Sequence, residues 1–145
     1  MSRSYVLNYL HCVFSTKNRI SAIKEPEPLW AYVRGIARNC GFDLLAIGGT
    51  NNHVHVLINL PSRRTLSETM RDIKANSSRH LRLSNRTFAW QDGYAAISVS
   101  PSQLRTVKSY IANQQEHHRT RRFEDEYMLL LKKAGARFVP DEALG

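Results

Sequence analysis

Two short stretches of this 145-residue chain hold residue types that can do chemistry together. The first is His53-Val54-His55. Side chains alternate along a strand, so the two imidazoles share one face while Val54 and Val56 take the other. Neighbouring imidazoles on a sheet make a two-ligand platform for a divalent metal. The second is Tyr110 with Gln114, four residues on and one helical turn away on the same face. Gln114 brings an amide oxygen, a hard ligand suited to Mg2+ or Mn2+. Tyr110 brings a phenol, which needs nearby positive charge or a base because its free pKa is about 10. A metal on His53, His55 and Gln114 would keep positions open for a phosphate oxygen and water, and would act as a Lewis acid. Tyr110 would attack phosphorus, and the resulting phosphotyrosine link would conserve the energy of the broken bond for rejoining. Lys108, His117 and His118 lie close in sequence, and none is singled out as the group that activates the tyrosine.

Each stretch also has a plain explanation. Paired histidines occur on ordinary exposed sheet faces. Val107, Tyr110, Ile111 and Gln114 form the stripe an amphipathic helix packs on a core.

The elements that must position these residues follow from periodicity and punctuation. Apolar runs predict strands over residues 5–14, 42–47, 53–60 and 94–99. Leu29, Val33, Ile36, Ala37 and Cys40 recur at helical spacing between Pro26 and Gly41. Thr65-Leu66-Ser67-Glu68 has the form of a capping box and opens a second helix. A third helix is predicted over 103–118 and a last one over 124–133, followed by a loose tail. The order is that of an α+β, ferredoxin-like β-α-β-β-α-β layer. It predicts a four-stranded, mostly antiparallel sheet with two helices on one face and an added C-terminal helix carrying Tyr110. The chain reads as a single domain, 1–145, with a core over about 5–119 and a C-terminal helix and tail over 120–145.

Lys and Arg number 21 against 12 Asp and Glu, giving a formal charge of +9 and a pI near 10.0. Such an excess suits a polyanionic partner. Arg71, Lys74 and Arg82 form a basic stripe on the second helix, and Arg63 and Arg64 precede it. These, with Lys108, are candidate contacts to a nucleic-acid backbone, although a solvated helix face has the same composition. Trp90 could stack on a base, but burial in the core is the better use for it. Cys12 and Cys40 have no zinc spacing and read as buried free thiols. No apolar run nears the roughly 20 residues that cross a bilayer, and the first nine residues lack the features of a signal peptide. A cytoplasmic protein without a membrane partner is therefore expected.

Together these residues resemble the single-tyrosine HUH transposases, the family of insertion-sequence TnpA enzymes and REP-associated tyrosine transposases. The HUH motif corresponds to His53-Val54-His55, and the nucleophile motif to Tyr110-Ile111-Ala112-Asn113-Gln114. The stretches Phe14 to Arg19, Lys74 to Ser78 and Trp90 to Tyr94 look similar as well. The resemblance implies a metal site of His53, His55 and Gln114 using Mg2+ or Mn2+, with Tyr110 as nucleophile. It implies a DNA transposase that cleaves and rejoins single-stranded DNA at hairpin-bearing element ends through a 5′-phosphotyrosine intermediate. The partner would be single-stranded DNA with imperfect hairpins. It further implies a homodimer with active sites shared between chains, although some REP-associated members act as monomers.

A domesticated, non-catalytic hairpin DNA- or RNA-binding module on the same fold would carry the same charge, but would not require an intact Tyr110 and Gln114. Histidine-triad hydrolases need a third His where this chain has Leu57. Rolling-circle initiators typically place Lys, not Gln, after the tyrosine. An RNA-binding ferredoxin-like domain would show a basic-aromatic signature on its exposed strands, and Tyr5, Tyr9 and Phe14 do not supply one.

Overall fold

In the computed structural model, which describes residues 3–143, four strands pair in the order β2-β3-β1-β4. Along the chain the elements are β1 (Tyr9–Ser15), α1 (Pro26–Cys40), β2 (Asp43–Gly49), β3 (His53–Asn59), α2 (Leu66–Leu81) and β4 (Ala95–Val99). They are followed by α3 (Leu104–Ala112), α4 (Gln114–His117), α5 (Phe123–Lys133) and α6 (Pro140–Ala143). Every strand pair is antiparallel. This is the predicted ferredoxin-like α+β layer.

Local chemistry accounts for the element ends. Pro26 opens α1, where its missing N–H costs nothing. Gly41 closes it in the left-handed region at φ 78°, a conformation that glycine adopts without strain. Thr65 caps α2, its hydroxyl accepting from the Glu68 N–H at 3.0 Å.

The two faces of the sheet do different jobs. Leu10, Cys12 and Phe14 of β1 and Val54, Val56 and Ile58 of β3 point to one face. There they join Leu29, Val33 and Ile36 of α1 and Met70 and Ile73 of α2 in the main core. Trp90 belongs to this core too, its indole N–H donating to Ser77 Oγ at 3.0 Å. The other face carries His11, Val13 and Ser15 opposite Leu57, His55 and His53. Helix α5 covers part of it through Phe123, which packs with Val13 and Ala95 and is backed by Tyr127 and Leu130. Helix α3 covers another part, over β2. A Cβ on Gly48 would lie 2.3 Å from the carbonyl oxygen of Ile111, so only glycine lets the helix backbone come this close.

Several sequence expectations need correction. The first strand starts at Tyr9, not at residue 5: its partner β3 ends at Asn59, opposite Tyr9, and Tyr5 and Leu7 are exposed. The second strand runs on to Gly49, because the ladder with β3 continues through Gly48 and Gly49. The third helix is broken at Asn113 (φ −99°, ψ 21°), which separates Tyr110 in α3 from Gln114 in α4. The predicted tail contains the short helix α6, and residues 144–145 lie outside the described stretch. Cys12 is a buried free thiol as expected, whereas Cys40 is only partly buried. Among the described residues, no helix is long and apolar enough to cross a membrane.

Candidate active site

The strand ladder places His53 and His55 on one face, and both are fully buried, at 0% exposure, beneath α3, α4 and α5. The break at Asn113 does not separate the second pair: Gln114 reaches His53, with its Oε1 2.8 Å from Nε2. A residue without any spacing signal joins them. Glu126 of α5, 2% exposed, sets Oε1 3.2 Å from Nε2 of His55 and 3.6 Å from Nε2 of His53. Its other oxygen accepts from the hydroxyl of Tyr110 and, at 3.1 Å, from the Gln114 amide. His118 closes the cluster, its Nε2 3.0 Å from Glu126 Oε1. The ring of Tyr110 stands edge-on to His55, centroids 5.8 Å apart, and tilted against His117 at 4.8 Å.

The donor set fits a divalent cation. His53, His55 and Glu126 bring one ligand atom each within 4.8 Å of one another. Neighbouring donors at bond lengths of about 2.1 Å stand about 3.0 Å apart in an octahedral shell, and Glu126 Oε1 lies 3.2 and 3.6 Å from the two imidazole nitrogens. The proton positions agree. Nδ1 of His53 faces Asn52 Oδ1 at 3.0 Å and Thr50 Oγ1 at 2.9 Å. An amide oxygen only accepts, so the single proton of a neutral His53 belongs on Nδ1. Nε2 then turns a lone pair toward Gln114 Oε1, whose own amide nitrogen is occupied by Glu126. Two facing lone pairs repel unless they share a cation.

Electrostatics follow from burial and Glu126. Burial, then the neighbouring His55, holds His53 down at about 3, so it is neutral near pH 7. Burial lowers His55 too, against the pull of Glu126. For Glu126 itself burial opposes ionisation, but hydrogen bonds from His118 and His55 outweigh it and hold the carboxyl well below the usual range. Tyr110 is pushed up, by burial first and then by its bond to Glu126 and the charge there. His118 is raised, because Glu126 more than offsets its burial.

The sequence profile described as "Transposase IS200 like" matches residues 4–114. The chain belongs to the IS200-like transposase family. The match ends at Gln114, so α5 with Glu126 lies beyond the matched part of this transposase. The fold agrees. The crystal structure of a candidate transposase from Deinococcus radiodurans R1 superimposes with a TM-score of 0.62 at 22% identity, covering 79% of this chain and 96% of that one. A REP-associated tyrosine transposase bound to a REP hairpin gives a TM-score of 0.63 at 19% identity, over 81% of this chain and 73% of that one. At such identities the likeness is one of fold. No curated protein matches significantly.

The basic residues of this transposase divide into two groups. Arg64 is held internally, donating to the Cys40 carbonyl at 3.0 Å and pairing with Asp72. Lys74 donates to the carbonyls of Gln91 and Gly93 at 2.7 and 2.9 Å, pinning the turn before β4. Arg82 bonds the Phe88 carbonyl at 2.9 Å through Nε, and Arg63 reaches the Gly41 carbonyl at 3.2 Å from an exposed position. Arg71 and Lys108 are exposed. A cleft of about 610 Å³ opens beside His118, walled by Lys24, Asn52, Arg121 and Arg122.

Proposed function

We propose that this transposase cleaves and rejoins single-stranded DNA at hairpin-bearing ends, with Tyr110 as nucleophile and His53, His55, Gln114 and Glu126 as metal donors. One observation carries this reading: the Glu126 carboxylate touches the nucleophile with one oxygen and faces both HUH histidines with the other. Nucleophile and metal donors are thus parts of one cluster. A bound Mg2+ or Mn2+ would supply Lewis acidity to the scissile phosphate and offset the charge of Glu126. Tyr110 Oη forms the bond to phosphorus, the bond to the 3′-oxygen breaks, and the strand leaves with a 3′-hydroxyl. The phenolic proton passes to its hydrogen-bond acceptor, Oε2 of Glu126, and the departing 3′-oxygen takes up a proton from water. Rejoining reverses these steps.

With Glu126 in its charged state Tyr110 keeps its proton, so the arrangement seen here is a resting one. The histidines are wholly buried, so Phe123 and His118, whose rings cover His53, must shift before a phosphate reaches the site. The cleft beside His118 gives a strand its approach, with Lys24, Arg121 and Arg122 ready for the backbone. The hairpin bound by the REP-associated neighbour supports a hairpin substrate here. In this chain Tyr110 and Gln114 dock on their own His53 and His55. Exchange of the tyrosine helix between two chains would use the same contacts, and light scattering during gel filtration separates a 16.6 kDa species from a dimer.

Burial of the site also favours a second reading, a domesticated module that binds hairpins without cutting them. Incubation of labelled single-stranded hairpin DNA with protein and Mn2+ decides between them. The catalytic reading expects nicked product that depends on metal and is lost in Tyr110→Phe. Binding without any nicking would support the module.

A further inference from the structure

Strand β1 brings a third imidazole to the site face. His11 is 5% exposed, and its Nε2 lies 2.8 Å from Nδ1 of His55 on the neighbouring strand. The ring centroids are 5.0 Å apart with planes 30° apart, as for two rings meeting edge to edge through this contact. The ladder fixes this approach, since Val13 pairs with His55 and His11 with Leu57 on the same face. Two ring nitrogens at this distance share one hydrogen. A neutral imidazole has one N–H and one lone pair, so whichever ring donates sets the tautomer of both.

His55 turns its remaining nitrogen, Nε2, into the cluster with Glu126. Ligation there uses the Nε2 lone pair, which leaves the proton of His55 on Nδ1. Nε2 of His11 must then be the acceptor, and the proton of His11 stays on its own Nδ1. We propose that His11 is the positioning residue for His55: a neutral acceptor that locks the ring and its tautomer so that Nε2 is offered to the metal. This rests on the metal reading of His53, His55 and Glu126. The division of labour is visible across the site. Loop residues Thr50 and Asn52 serve Nδ1 of His53, whereas a strand residue serves Nδ1 of His55. An imidazole acceptor orients the ligand without adding a second negative charge beside Glu126.

The test combines calorimetric titration with Mn2+ and 15N spectra of the histidine rings in the Mg2+-loaded protein. His11→Met, which offers no comparable acceptor, is expected to bind Mn2+ about 10–100-fold more weakly. His11→Gln, whose amide oxygen can accept from His55, should keep most of the affinity. The spectra should show both His11 and His55 as Nδ1–H tautomers. Unchanged affinity in His11→Met, equal loss in both variants, or a proton on Nε2 of His55 with metal bound would each overturn the proposal. If His11→Met fails to fold, the spectra of the unaltered protein decide alone. Failure of the unaltered protein to bind either metal would overturn the metal reading itself, and the role of His11 with it. Normal binding that is insensitive to His11 would remove only the latter.

Discussion

The hydroxyl of Tyr110 donates to Glu126, 16 residues further along the chain, and this bond joins α3 to α5. It also sets the protonation state of the phenol. Glu126→Gln removes a charge beside the phenol, so Tyr110 should ionise at lower pH than in the unaltered protein. Ultraviolet titration of the phenolate, with Tyr110→Phe as the blank, reads this shift. The same variant loses a carboxylate donor and should bind Mn2+ more weakly by calorimetry. Tyr110 ionisation that moved up, or stayed in place, would show that Glu126 does not hold the phenol.

Metal and acid should act on stability in opposite senses. In the metal-free protein His53 and His11 are held at about 3, with burial the largest cause, and His55 is lowered as well. A folded pKa below the unfolded value, about 6.5 for histidine, gives stability that is present above that value and lost as pH falls. Glu126, also depressed, acts in the same direction below about 4.3. His118 is raised and contributes the other way, its share lost as pH rises. Three histidines outweigh one, so the melting temperature of the metal-free protein should fall from pH 6.5 toward pH 4. At pH 7.5, Mn2+ at a hundredfold excess over its Kd should add about 2.7 kcal/mol. For a chain of this size that is about 5–10 °C in calorimetry, reversed by EDTA, and because His53 stays neutral down to about pH 3 the gain should persist below pH 6.

Gly48 sets how close the tyrosine helix can approach the sheet. In Gly48→Ala the added carbon meets the Ile111 carbonyl, and α3 must move outward. Overpacking of this kind costs about 1–3 kcal/mol, and a displacement near 1 Å can cost about a hundredfold in rate. Single-turnover nicking should therefore fall at least tenfold in a variant that still melts cooperatively. A variant with normal nicking would show that the spacing of α3 is not critical.

The basic residues should separate by experiment as they do in the structure. Arg71→Ala and Lys108→Ala, both at exposed positions, should leave the melting temperature unchanged and reduce the salt slope of hairpin binding by about 1 each if each meets a phosphate. Arg64→Ala and Lys74→Ala break internal bonds and should lower the melting temperature instead. Thermal denaturation alongside fluorescence anisotropy at several salt concentrations makes the comparison.

Much of this was legible in the sequence for definite physical reasons. Alternation in His53-Val54-His55 specified a shared face, and the Thr65 cap and Gly41 stop fixed two helix ends. Periodicity did not show the break at Asn113, because the apolar stripe ends at Ile111 and Ala112 and the polar run after it carries no helical period to interrupt. Glu126 escaped notice because it stands among Glu124 and Asp125, and only packing reveals which of the three is buried. His11 left a fainter trace, a lone imidazole within the apolar run of β1. The internal contacts of Lys74 and Arg64 could not be read from composition, since Lys74 bonds the carbonyls of Gln91 and Gly93 and Arg64 bonds the Cys40 carbonyl besides Asp72.

The central claim is that Tyr110 becomes covalently joined to DNA. The direct measurement is mass spectrometry of the protein after incubation with Mn2+ and a single-stranded hairpin oligonucleotide, followed by denaturation and digestion. The account predicts a nucleotide-bearing peptide containing Tyr110, absent with EDTA and absent in Tyr110→Phe. A DNA adduct on any other residue, or undiminished nicking by Tyr110→Phe, would contradict it.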